Sequence, residues 1–107
     1  MTIKVKNMTD YLDVEMNEVL PNGLVALKFY STTCAPCKML GMELDKVVAS
    51  SEVEATLFNV DVETCPEVAG EFEVFTVPTM VFLKDKQEYE RTVGFMPKAK
   101  IESILSK

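Results

Sequence analysis

Ile3 and Val5 alternate with Lys4 and Lys6, the period-two pattern of a short, half-exposed strand. Thr9 then offers a helix N-cap, and Asp10 places a negative charge in the first turn. Leu12, Met16 and Val19 recur at helical spacing and form one apolar stripe. Pro21, Asn22 and Gly23 end that helix. The next run, from Leu24 to Tyr30, reads as a strand buried on both faces, interrupted only by Lys28. A loop of Thr32, Thr33 and Cys34 leads into a long helix from Ala35, with Pro36 in its first turn, where a missing N–H is tolerated. Met39, Leu40, Leu44, Val47 and Val48 share one face of it, and Ser50, Ser51 and Glu52 break it.

Residues 55–60 form the next strand, and 66–72 a short helix that follows Cys65. Residues 79–83 are apolar and β-branched, a further strand. A polar turn over 84–87 returns the chain into a last strand in which Tyr89, Arg91 and Val93 alternate. Gly94 stops it, and Pro97 opens a helix with Ile101, Ile104 and Leu105 on one face. The order β-α-β-α-β-α-β-β-α predicts an α/β domain. Its early alternation calls for parallel strands joined by right-handed crossovers, and its late pair for an antiparallel hairpin at one edge. The pattern contains no repeats, linkers or low-complexity runs, so 1–107 reads as a single domain.

Composition narrows the chemistry. A chain of 107 residues with 48% hydrophobic residues supports one core without a metal or disulfide scaffold. Its 17 acidic and 11 basic residues give a net charge of -6, which disfavours nucleic acid and anionic membranes as partners. Glu52, Glu54, Glu63, Glu67, Glu71 and Glu73 are most simply a solvated surface. The longest uncharged apolar runs, at 24–27 and 80–83, fall far short of the ~20 residues of a membrane span. The first residues lack the hydrophobic stretch of a signal peptide, so the expected compartment is the cytoplasm, where thiols stay reduced. Histidine is absent, which removes Ser-His and Cys-His nucleophile pairs and every histidine-bearing zinc site.

Against that background, the three cysteines carry the chemistry. Cys34-Ala35-Pro36-Cys37 spans one turn at the start of the long helix. Two cysteines so spaced can close a small disulfide ring with little backbone movement. The helix N-terminus, with unpaired N–H groups and about half a positive charge, favours a thiolate at Cys34. Cys34 would attack a target disulfide, and Cys37, one turn inside, would resolve the mixed disulfide. A lone C-x-x-C could equally be half of a zinc or iron–sulfur site; the strand before it and the helix after it favour redox work.

From these residues the chain resembles the thioredoxin family. The likeness runs from Lys28-Phe29-Tyr30-Ser31-Thr32-Thr33-Cys34-Ala35-Pro36-Cys37-Lys38 through Asn59-Val60-Asp61 and Pro66-Glu67-Val68-Ala69 to Val77-Pro78-Thr79 and Thr92-Val93-Gly94. It implies a thioredoxin fold, a central mixed sheet of about five strands flanked by about four helices. It implies a thiol–disulfide oxidoreductase, a protein-disulfide reductase whose working group is the Cys34–Cys37 disulfide, with no added cofactor and no metal. By the same resemblance Pro78 is cis and faces the disulfide, and Val77 pairs through its backbone with an extended substrate strand. Thr33, Ala35, Pro36, Gly94 and Phe95 complete the expected substrate-binding surface, with Met96 adding to an apolar patch. The implied partners are disulfide-containing client proteins and a reductase as electron donor, by family habit a thioredoxin reductase, and the chain acts as a monomer.

The sequence departs from the family at defined places. Thr33 and Tyr30 stand at tryptophan positions, and the chain has no tryptophan. Ala-Pro replaces Gly-Pro between the cysteines. Met42 stands near a family proline, with Gly41 beside it as a substitute point of bending. Lys28 occupies the position of a buried aspartate behind the second cysteine. Either its stem runs along apolar neighbours to put the amine at the surface, or a partly desolvated amine stabilises the Cys37 thiolate or carries its proton. Cys65 sits at a helix N-cap position, read as a small, partly buried residue or as a regulatory thiol. Two other functions are carried forward: a non-catalytic thioredoxin-fold binding module, and a cluster bridged by the cysteines of two chains.

Overall fold

The computed structural model describes residues 3–7, 20–50 and 53–107. Five strands form one mixed sheet: β1 (Ile3–Asn7), β2 (Leu24–Tyr30), β3 (Ala55–Asp61), β4 (Thr79–Lys84) and β5 (Gln87–Val93). Three helices accompany them among the described residues: α1 (Ala35–Ser50), α2 (Pro66–Glu71) and α3 (Lys98–Leu105). The helix expected to begin at Thr9 lies outside the described residues.

The strand order is β1-β3-β2-β4-β5. β1 and β2 both run parallel to β3, while β4 is antiparallel to β2 and β5 to β4. β2 is therefore central. Its alternate side chains divide the core, as the pleat requires. Val25, Leu27 and Phe29 join Phe58, Val60, Cys65 and Val68 on the face that α2 covers. Ala26 joins Leu40, Leu44, Val47, Met80, Phe82, Ile101 and Ile104 on the face of α1 and α3. Lys28 follows Ala26 by two positions, so it points toward the α1 side.

The last hairpin is tighter than the polar run over 84–87 predicts. Only Asp85 and Lys86 form the turn, both with positive φ (50° and 68°). A two-residue turn of that hand matches the twist of the strands it joins. Gly23 holds it from across the sheet: its N–H donates to Asp85 Oδ1 at 2.8 Å, and the Asp85 N–H donates to its carbonyl at 2.9 Å. α3 opens at Lys98, whose N–H donates to Glu43 Oε1 of α1 at 2.9 Å. A carboxylate from a neighbouring helix thus caps a terminus that Pro97, as N-cap, cannot serve.

Register brings four loops to one end of the sheet. Tyr30 pairs with Asp61, Phe29 with Thr79, and Thr79 with Val93. The chain therefore leaves β2 and β3, enters β4 and leaves β5 at the same edge. The cysteine loop, the α2 junction, the Val77–Pro78 segment and Gly94 meet there.

Candidate functional site

Cys34 is the last residue before α1, and Cys37 lies in its first turn. The two are joined as a disulfide, with Cα atoms 5.2 Å apart. Their surroundings differ. Cys37 is 1% exposed, whereas Cys34 is half-buried and flanked by exposed Thr33, Ala35 and Pro36. The Cys37 N–H donates to Cys34 Sγ at 3.2 Å. That N–H is one of the unpaired donors of the helix start, so negative charge on Cys34 gains a hydrogen bond and the positive end of the helix dipole together.

The second motif faces the same end. The Val77–Pro78 bond is cis. Pro78 is buried and Val77 half-buried. The Gly94 N–H donates to the Pro78 carbonyl at 2.8 Å, which ties the end of β5 to this loop, and Gly94 takes a φ of 93° that favours glycine. Thr79 Oγ1 closes the loop by donating to the Thr76 carbonyl at 2.7 Å. Phe95 is 44% exposed. Met96 differs from expectation: it is 5% exposed and packs with Leu40 and Ile101, so it belongs to the core and not to a surface patch. It anchors the segment between β5 and α3, which leaves Phe95 turned outward.

Lys28 is largely covered along its stem, while its amine still touches solvent. It is 8% exposed, and its amine lies 5.1 Å from the centre of the Tyr30 ring. It lines one hollow together with Tyr30, Ser31, Thr32, Cys37 and Lys38. Burial holds its amine below the ordinary lysine value, an effect that the negative charge of Asp45 partly opposes. Tyr30, in turn, is pushed up by burial and by the nearby Asp61 and Cys65. Gly41 has a function that the sequence pattern misses. A Cβ built there would stand 3.0 Å from Lys28 Nζ, so glycine makes room for the amine. The signal is a glycine inside an otherwise regular helix, which costs ~1 kcal/mol relative to alanine and calls for a packing reason.

Cys65 is the N-cap of α2, but its side chain makes no capping hydrogen bond and is fully buried, with Thr64 Oγ1 3.8 Å from its sulfur. Full burial removes it from the exposed thiols that a regulatory role requires. Phe75, which the sequence does not distinguish, is 91% exposed just before the Val77–Pro78 segment.

A family model described as Thioredoxin matches residues 4–107. The chain belongs to the thioredoxin family. A thioredoxin from Staphylococcus aureus is 33% identical over 95 residues, 89% of this chain and 91% of that protein. Among solved structures, chloroplastic thioredoxin z superposes with a TM-score of 0.77 at 27% identity, covering 99% of this chain and 95% of that one. Thioredoxin-2 of a malaria parasite superposes at 0.76 and 25% identity, over 81% of this chain and 84% of its own. With its bridged Cys34–Cys37 pair, this member of the thioredoxin family is a thiol–disulfide oxidoreductase, a protein-disulfide reductase. Thioredoxins act without an external cofactor, and the family implies disulfide-containing substrates and a reductase that returns electrons. Among the described residues, no cluster of three or more histidine, cysteine or acidic groups could hold a metal ion, and no helix is long and apolar enough to cross a membrane.

Proposed function

We propose that the chain works as a single monomeric domain in which Cys34 attacks and Cys37 resolves. The carrying observation is the asymmetry of the pair: the half-buried sulfur receives the N–H of the buried one's own residue. In the reduced protein, the Cys34 thiolate attacks one sulfur of a client disulfide. A Cys34–client bond forms, and the other client sulfur leaves as a thiolate that takes up a proton. Cys37, having lost its proton, attacks Cys34 Sγ. The client's second thiolate leaves, and two electrons have passed from the pair to the client. The electron donor is a reductase, by family a thioredoxin reductase, and the working compartment is the cytoplasm, whose reducing poise suits it.

The client lies across the end of the sheet, its extended backbone paired to Val77 beside Pro78 and flanked by Gly94 and Phe95, with Thr33, Ala35 and Pro36 around the nucleophile. Lys28 acts on the second step. Its amine shares a hollow with Cys37, and a positive charge there stabilises the thiolate that must attack. Insulin reduction with dithiothreitol as donor tests the roles. Cys34→Ser should abolish turnover by at least ~1,000-fold. Cys37→Ser should accumulate a covalent complex with client proteins, because attack proceeds while resolution cannot. Normal turnover and no trapped complex in Cys37→Ser would overturn the assignment.

A further inference from the structure

Cys37, Gly41 and Asp45 follow one another at steps of four in α1, so they form one stripe along the helix with a turn between each. The Lys28 amine of β2 lies against the middle of that stripe: a Cβ at Gly41 would stand 3.0 Å from Nζ. Residues so spaced on a helix have Cβ positions about 5–6 Å apart. The amine therefore rests about one turn from the thiol that resolves the mixed disulfide and one turn from Asp45. Tyr30 stands two positions along β2 from Lys28, on the same side of the strand, and its ring lies 5.1 Å from the amine as a second wall. Lys28 and Tyr30 line one hollow with Cys37 and another with Gly41 and Asp45. The groups that face the amine are thus Cys37, Lys38 and Asp45 of α1 and Tyr30 of β2, with uncharged Leu57 and Asn59 from β3 and Met80 of β4 as its partner in the sheet. Asp45 opposes the loss of charge that burial imposes on the amine.

A lysine head is a point charge at the end of a flexible stem, and its action on another charge weakens with distance and with water between them. Where the stem is held therefore decides what the charge does. We propose that Gly41 is a positioning residue for the resolving step: its bare backbone lets the Lys28 amine lie on the Cys37 side of Asp45, where it acts on the attacking thiolate. A side chain at position 41 would stand between the amine and Cys37 and leave the amine beside Asp45. The inference rests on the reading that Lys28 stabilises the Cys37 thiolate, and it adds the residue that makes the geometry possible.

The test follows the Cys37 ¹³Cβ signal against pH by NMR in the full chain, in a Cys34→Ser background so that only one thiol of the pair titrates. Gly41→Leu should raise the Cys37 midpoint by about half a pH unit, roughly threefold less thiolate at neutral pH. Lys28→Met should raise it at least as far. In the Lys28→Met background, Gly41→Leu should add nothing, because the charge it displaces is gone. Gly41→Ala improves helix propensity, so it should fold, and it should give a smaller shift of the same sign. A midpoint moved by Lys28→Met but by neither substitution at Gly41 would overturn the positioning role while leaving that of Lys28 intact. An equal shift from Gly41→Leu with and without Lys28 would overturn it as well, since the leucine would then act on Cys37 directly. No shift in Lys28→Met would remove the reading of Lys28 and this inference with it.

Discussion

Lys28 is a cation on the inward side of the central strand, and its effect on stability has a definite sign. Burial lowers its pKa below 10.5, so between that lowered value and 10.5 the unfolded chain holds a proton that the folded chain has released. Stability gained from this group therefore rises with pH across that window, and the burial penalty is full below it. Lys28→Met should be more stable than wild type at neutral pH, because the desolvation that lowers the pKa of the amine is removed with it. The difference should shrink as pH rises toward 10.5. Urea denaturation of both proteins across that range checks it; a variant that is less stable at every pH contradicts it. Cys65 allows a second test at this scale. Because its side chain is fully buried, iodoacetamide should modify the reduced native protein at Cys34 and spare Cys65 until urea unfolds the chain, as peptide mass mapping would show. Rapid native alkylation of Cys65 would contradict the packing described above. The cysteine pair is legible in sequence because a spacing of three on a helix dictates geometry. The surroundings of Lys28 are not, because Gly41, Tyr30 and Asp45 meet its amine only through the fold.

At the scale of elements, the described strands and helices follow the apolar periodicities closely, because both faces of the sheet are covered and each side chain must match its layer. β2 is the clearest case: its odd positions enter one core and Ala26 the other. The hairpin turn is harder to read. Asp85 and Lys86 lack the glycine or asparagine that announces a two-residue turn, so the sequence suggests a looser one. The turn is held instead by Gly23, a residue remote in the chain. Lys86 has φ of 68°, a conformation that costs a side-chain-bearing residue roughly 1–2 kcal/mol. Lys86→Gly should therefore stabilise the protein by about 0.5–1 kcal/mol, less than the full strain because glycine also loosens the unfolded chain. Chemical denaturation would measure it, and a loss of stability would count against the turn. Met96 marks the opposite limit: a hydrophobic residue next to an exposed phenylalanine has no sequence feature that tells core from surface.

Across the whole molecule, one arrangement links sequence to activity. Parallel β2 and β3 and antiparallel β4 and β5 deliver the cysteine loop, Cys65, the Val77–Pro78 segment and Gly94 to a single edge. Phe75, Val93 and Phe95 give that end exposed apolar area on an otherwise acidic molecule, which suits transient contact with other proteins. The central claim is that Cys34 and Cys37 pass two electrons to a client and end bridged. Its most direct test mixes fully reduced protein with an equimolar disulfide client, quenches with acid and weighs the peptide that carries residues 34–37. The expected result is the loss of two hydrogens from that peptide, in step with the appearance of client thiols. Client reduction without that loss, or no loss under any client, would contradict the claim.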